Sequence, residues 1–251
     1  MAVSAAAKSV VAGFGNPNSS TMLPSRLRKG WKRQMTHSTP KRLKSRCARA
    51  VRFALTLATD AAMLEVVTMV YGGLVNKNLV AQLQANGVNA LGLTGADADA
   101  IRSHKRPLKD GVDYGFVGDV DAGNGEMLSK LIEAGITPVM APLTHDGKGQ
   151  ILNTNADTIA SETAKALANI YDVTLIFSFE KKGVLRNPDD DDSVIPVITH
   201  EDFERYKADG TISGGMLPKI ENALNAVEAG VSRVIITLAT AIDGQHGTVI
   251  Q

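Results

Sequence analysis

The sequence of 251 residues predicts an α/β fold in which a mainly parallel sheet is covered by helices on both faces. Apolar runs of strand length stand at residues 88–94, 136–143, 173–179 and 233–239, none with the strict polar alternation of a sheet that has one wet face. Segments with apolar residues at helical spacing separate them. The length suits one large domain or two small ones, and 44% hydrophobic with 21% charged residues is ordinary for a globular chain. No apolar run approaches the roughly 20 residues of a membrane span. The single Cys47 excludes an internal disulfide, and the five histidines contain no H-x-x-x-H pair, so a zinc site is not expected.

Charge divides the chain. Residues 1–59 carry 12 of the 27 basic residues and no Asp or Glu, so the remaining 15 basic residues face all 26 acidic ones. The basic piece is broken by Gly13, Gly15, Pro17, Pro24, Gly30 and Pro40 and has no sustained period of 3.6 or 2 residues. It reads as disordered, with a nascent helix over residues 43–57. Three functional readings compete with that one: an acid-free, Arg- and Ser-rich transit peptide, a nucleic-acid-binding arm, and a stretch translated out of frame in place of a globular start. Phe14, Trp31 and Phe53 are its only aromatics, too few for a base-stacking surface, so nucleic acid is not an expected partner.

From residue 60 the elements follow in order. Residues 63–86 predict a long helix that buries Val66, Val67, Val70, Leu74, Leu79 and Leu83 and is interrupted at Gly72 and Gly73. A buried strand at 88–94 enters Gly95-Ala96-Asp97. Residues 105–120, with three glycines and the aromatics Tyr114 and Phe116, predict a loop and then a small hairpin. A helix over 125–134 ends at Gly135 and leads into the strand 136–143, which is nearly all apolar and therefore expected at the centre of the sheet. His145-Asp146-Gly147-Lys148-Gly149 is a tight turn. A helix opened by Asp157 carries Ile159, Ala160, Ala164, Leu167 and Ile170 on its apolar side, and the strand 173–179 follows. Asp189 to Asp192 form an acidic loop whose consecutive carboxylates point apart and stay solvated, so no metal site is assigned to it. A short helix at 200–207, a helix from Met216, the strand 233–239 and an edge strand at 247–250 complete the chain.

Two polar stretches at helix starts carry the chemistry. Thr211-Ile212-Ser213-Gly214-Gly215 runs into a helix whose apolar side is Met216, Leu217, Ile220, Ala223, Leu224 and Val227, with Pro218 in the first turn, where a proline costs no hydrogen bond. Free backbone N–H groups, the positive end of the helix dipole, two glycines and the Lys219 ammonium together suit a phosphate. The alternative is a turn before a surface helix with an ordinary exposed lysine. Asn153-Thr154-Asn155-Ala156-Asp157 crowds three short polar side chains, Asn153, Asn155 and Asp157, at another helix start, where one suffices as a cap. The surplus either over-caps the helix or binds a ligand and orients a lysine.

Three blocks in order, Asn153-x-Asn155-Ala156-Asp157, Glu180-Lys181-Lys182-Gly183-Val184-Leu185 and Gly214-Gly215-Met216-x-x-Lys219, resemble the acetylglutamate kinases of the amino-acid kinase family. The resemblance runs from about residue 59 to the C-terminus and implies a three-layer α/β/α sandwich whose first strands are missing. It implies domains at 1–58, a basic segment outside the family, and 59–251, with the remainder of an acylglutamate-binding half at 59–150 and a nucleotide-binding half at 151–251. The implied reaction moves the γ-phosphoryl group of ATP to the side-chain carboxylate of N-acetyl-L-glutamate, or a related N-acylglutamate, on the route to arginine in the cytoplasm. Mg2+ arrives with ATP, no protein metal site is implied, and a homo-oligomer is expected. Asn153 would contact the acylglutamate with Asn155 in support, Asp157 would hold the catalytic lysines, and Lys219 would stabilise the leaving phosphate. Glu180, Lys181, Lys182, Gly183, Val184, Leu185, Ile212, Ser213 and Gly214 would line the nucleotide site.

The family also opens with a strand ending in Lys-x-Gly-Gly, has a second glycine-rich turn, and grips a substrate carboxylate with the Arg of an Asn-Gly-x-Arg stretch. Residues 1–58 contain none of these: Lys8 is followed by Ser9 and Val10, and Gly13-Phe14-Gly15 is read as having no strand before it. Activity is therefore expected to be impaired, and the alternative is a catalytically dead, nucleotide-binding homologue of the same fold.

Overall fold

A computed structural model describes residues 8–12 by their backbone and residues 58–108, 111–242 and 244–251. The chain divides into two compact units, Asn16–Asn155 on one side and Met1–Gly15 with Ala156–Gln251 on the other.

In the Asn16–Asn155 unit, Asp60 accepts the Met63 N–H at 2.7 Å and so caps helix α1, Ala61–Val67. The expected long helix is continuous through Gly72-Gly73, but Thr68–Val75 is wound as a π-helix before α2, Asn76–Ala85. That winding carries more residues per turn, so the 3.6-residue spacing stops marking a single face. Leu64, Val66 and Val67 are buried as an α-helical stripe, whereas Leu74 is exposed and the polar Asn76 takes a buried place. Asn76 Nδ2 donates to the Val139 carbonyl at 2.8 Å. Leu64, Val67 and Leu143 form a core cluster that Met63, Tyr71, Phe116 and Ile151 complete.

Strand β2, Ala90–Leu93, pairs parallel with β5, Thr137–Met140, as a two-stranded sheet. The run 136–143 is thus not one central strand: Pro142 lies in a break, and the chain resumes as β6, Leu143–His145. Strands β3, Ile101–Lys105, and β4, Gly118–Gly123, form an antiparallel hairpin with a register shift between Arg102 and Ser103. The first arm of that hairpin lies upstream of the segment predicted for it. Helix α3, Gly125–Glu133, is capped by Asn124, whose Oδ1 accepts the Met127 N–H at 3.0 Å. β7, Ile151–Asn153, pairs with β6 across the predicted turn, where Asp146 Oδ1 accepts the N–H groups of Lys148 and Gln150. The resulting sheet has the order β4-β3-β6-β7.

The other unit is built on a five-stranded sheet. Its inner strand β8, Val173–Phe179, is buried at every residue but the last, and its parallel neighbour on one side is the central strand β10, Arg233–Leu238. On the far side of β8 lies β1, Lys8–Ala12, parallel and in register from Lys8 with Val173 to Ala12 with Phe177. This corrects the expectation that nothing in residues 1–58 joins the sheet, and with it the statement that no strand precedes Gly13. A five-residue strand with parallel pairing has no alternation for periodicity to reveal. The other readings of residues 1–58, including a helix at 43–57, lie outside the described residues.

The predicted edge strand also moves. β11, Thr248–Ile250, is antiparallel to β10 but lies inside the sheet, because the two-residue β9, Val197–Ile198, covers its free side in the order β1-β8-β10-β11-β9. Parallel pairing accordingly dominates this sheet, and antiparallel pairing is concentrated in the β4-β3-β6-β7 sheet. Helix α4, Ala156–Ala168, buries Ile159, Ala160, Ala164 and Leu167 as predicted, while Ile170 lies beyond its end and is 48% exposed. α5, His200–Ala208, opens with a capping box in which Thr199 and Asp202 satisfy each other's backbone N–H groups. α6, Met216–Glu228, buries Ile220, Ala223, Leu224 and Ala226.

Among the described residues no helix is long and apolar enough to cross a membrane. The capping box makes a direct prediction. Thr199→Ala should lower stability by about 1 kcal/mol in urea unfolding, and Thr199→Ser should recover most of it. The hydrogen bonds from Thr199 hold the Asp202 carboxyl below its usual range, so its contribution is present at neutral pH and is lost as pH falls through the lowered value.

Candidate active site

In the unit that contains residues 156–251, the starts of α4 and α6 meet through one ion pair. Lys219 Nζ donates to Asp157 Oδ2 at 2.7 Å, across 62 positions of sequence. The pair is half-buried, with side-chain exposures of 16% for Lys219 and 26% for Asp157. The ammonium also lies 5.2 Å from the ring centroid of Phe177 and 5.8 Å from that of Phe179, both on β8. Phe177 is fully buried, and Phe179 ends the strand. The structure thus brings together the two catalytic candidates of the sequence and adds two rings that helical and motif patterns had not singled out. Their spacing of two at the end of a strand is the signal that was available.

Entry to α6 is tight. Ile212 is buried and donates its N–H to the Tyr206 carbonyl at 3.0 Å. Ser213 and Gly214 are exposed, and their carbonyls accept the N–H groups of Met216 and Leu217. Gly214 has φ +58°, a left-handed conformation that favours glycine. Gly215 caps the helix without a side-chain hydrogen bond, and Pro218 stands third in the helix, where no intrahelical N–H is required.

The stretch after β8 is held on two sides. Glu180 is exposed, whereas Gly183, Val184 and Leu185 are buried. Val184 donates its N–H to Thr248 Oγ1 at 2.8 Å, and Gly183 lies so close that a Cβ there would come within 2.7 Å of the same oxygen. Thr248 itself is fully buried on β11. Lys181 pairs with Asp191 at 2.7 Å and Lys182 with Asp192 at 2.5 Å, so the acidic loop is drawn onto the stretch. The Lys181 hydrogen bond lowers the Asp191 carboxyl from its usual range, and Asp192 raises Lys182. Arg186 NH2 reaches the Tyr206 hydroxyl at 3.3 Å, so Tyr206 is bonded both to this stretch and to Ile212.

Asn153 and Asn155 belong to the other unit. Asn153 ends β7, donates its N–H to the Phe116 carbonyl at 2.8 Å and donates Nδ2 to Thr59 Oγ1 at 3.0 Å. Asn155 is exposed. Thr154 between them is buried, with its hydroxyl 2.8 Å from that of Thr144. The buried Thr59 is thus a partner of Asn153 that the sequence did not mark.

A half-buried ammonium held by a carboxylate at a glycine-opened helix start, near the carboxyl end of an inner parallel strand, is the arrangement of a phosphate-handling α/β protein. The profile of the amino acid kinase family matches residues 10–238, and the chain belongs to that family. Within it, the chain is similar to the acetylglutamate kinase of Phocaeicola vulgatus, 69% identical over 193 residues that cover 77% of this chain and 75% of that one. The acetylglutamate kinase of Bacteroides thetaiotaomicron is 66% identical over the same shares of both chains. Among solved structures, smu.665 from Streptococcus mutans superposes with a TM-score of 0.65 at 32% identity, covering 77% of this chain and 74% of that one.

Thr248 yields a prediction about this site. Thr248→Val keeps the shape but leaves the buried Val184 N–H without its acceptor, so unfolding should show a loss of about 1–3 kcal/mol. Thr248→Ser keeps the acceptor and should lose clearly less.

Proposed function

We propose that this chain transfers the γ-phosphoryl group of ATP to the side-chain carboxylate of N-acetyl-L-glutamate, or a related N-acylglutamate, as a homo-oligomeric enzyme of arginine biosynthesis in the cytoplasm. The observation that carries the reading is the 2.7 Å pair of Lys219 with Asp157, which joins two of the blocks that resemble those of acetylglutamate kinases. In this reading a carboxylate oxygen of the acceptor attacks the γ-phosphorus, the bond from phosphorus to the β,γ-bridging oxygen breaks, and ADP leaves with the bond electrons.

Such a transfer asks the protein for alignment and positive charge more than for covalent chemistry. Lys219 stabilises the negative charge that grows on the leaving phosphate, and Asp157 holds its ammonium aimed. Glu180, Lys181, Lys182, Gly183, Val184 and Leu185, with Ile212, Ser213 and Gly214, line the nucleotide, while Asn153 and Asn155 meet the acylglutamate. Mg2+ would be carried to the site by the phosphate oxygens of ATP.

The same reading includes reduced turnover. The resemblance calls for a lysine at the end of the first strand, but β1 ends on Ala12 beside Phe177, and Lys8 stands at the opposite end beside Val173. Four residues of strand span about 13 Å, so Lys8 cannot take that lysine's place. A catalytically dead nucleotide-binding homologue is the second reading, and the Ala12 strand end is the observation that favours it.

Two measurements test these readings. Calorimetry should detect ATP binding, while a coupled assay for acylglutamyl phosphate should show turnover about 10²- to 10³-fold below that of a relative with both lysines, the usual effect of one lost preorganised charge. Full turnover would refute the impairment, and absent ATP binding would refute both readings. Asp157→Asn should abolish the residual transfer with far-ultraviolet circular dichroism unchanged, because Asn keeps the shape of Asp in the first turn of α4 and removes only the charge that meets Lys219; unchanged turnover would remove Asp157 from the mechanism.

A further inference from the structure

We propose that Phe177 and Phe179 are positioning residues for Lys219, their ring faces holding the ammonium beside Asp157 without taking up its charge. The inference rests on the phosphoryl-transfer reading above and concerns the same lysine. Phe177 and Phe179 are two apart on β8 and therefore present their side chains to the same face of the sheet. The Lys219 ammonium sits 5.2 Å and 5.8 Å from their centroids, within the range at which a ring quadrupole attracts a cation. Three elements thus converge on one nitrogen: Asp157 from α4, the rings from β8, and Lys219 itself from α6.

The chemistry explains why rings serve here. An ammonium with a side-chain exposure of only 16% has lost much of its water and needs compensation. A second carboxylate would supply it but would compete with the phosphate for the same charge. An aromatic face is uncharged and takes no proton, so it compensates the desolvation and leaves the positive charge available. Among the described residues the hydrogen bonding of the ammonium is to Asp157 alone, whereas a lysine has three N–H donors. The rings confine the ammonium on the strand side.

The test uses the full chain and three proteins: wild type, Phe179→Leu, which keeps apolar bulk without a ring, and Phe179→Tyr, which keeps the ring. The first readout is the shift of the Lys219 ε-methylene protons in ¹³C-lysine-labelled protein, assigned with Lys219→Arg. The second is calorimetric affinity for AMP-PNP. The expected result is a ring-current upfield shift in wild type and Phe179→Tyr that shrinks in Phe179→Leu. AMP-PNP should bind about 3- to 10-fold more weakly to Phe179→Leu and as tightly as wild type to Phe179→Tyr. Equal affinity in Phe179→Leu and wild type would overturn the proposal, and so would equal weakening in the Leu and Tyr variants, which is the mark of a merely structural role. If wild type itself fails to bind AMP-PNP, the phosphoryl-transfer reading falls, and the shift decides the hold on its own: present in wild type and lost in Phe179→Leu, it stands; absent in wild type, it is overturned. Should Phe179→Leu not fold, Phe179→Met replaces it, since it also fills the space without an aromatic face.

Discussion

The 2.7 Å ion pair between Lys219 and Asp157 is the contact on which the rest of this site depends. It joins the opening turns of α4 and α6, so the two helices must reach the same level above the sheet for it to form. Parallel β8 and β10 provide that level, since their register carries the chain to a common edge, with Phe179 opposite Leu238. The partial burial of both partners matters as much as their distance. An exposed pair of this kind contributes little, whereas a pair withdrawn from water is held firmly and leaves an uncompensated charge if either member is lost.

Around that pair, residues 180–186 and 212–214 are held by neighbours from elsewhere in the unit. The stretch after β8 is fastened by the buried Thr248 hydroxyl, and the exposed Lys181–Asp191 and Lys182–Asp192 pairs reach from it to the acidic loop. The acidic loop, which composition alone presents as a solvated run of charge, is thereby a partner of the stretch it follows. Tyr206 links this stretch to the entry of α6, because it receives the Ile212 N–H on its carbonyl and the Arg186 guanidinium on its hydroxyl. Two segments about thirty positions apart in the chain thus share one anchor.

Much of the fold was legible because long apolar strands and amphipathic helices announce themselves by period. β8, β10, α3, α4, α5 and α6 stand within a few residues of where periodicity placed them. The departures share a cause. The π-helical turn at Thr68–Val75 changes the number of residues per turn, so the expected interior positions hold at Val66 and Val67, before it, and fail at Leu74, within it. β1 and β9 are too short for a pattern to build up, and their pairing is decided by the strands beside them. The run 136–143 reads as one apolar strand, but Pro142 cannot donate to a ladder, and the chain breaks there into β5 and β6.

For the site, the sequence by itself determined the chemical identity of the actors: a lysine and an aspartate at two helix starts, with glycines where the backbone must turn sharply. These are local properties, set by residue type and by spacing of a few positions, and they are complete before the chain folds. The tertiary structure decided which of those residues touch, what surrounds them, and which anonymous residues support them. Lys219 meets Asp157 across 62 positions, and Thr248 reaches Val184 across 64. No short-range pattern encodes contacts of that separation. They arise from the order of strands in the sheet, β1-β8-β10-β11-β9, because burying the apolar faces of the helices against those strands is what brings the polar ends of the elements to one edge.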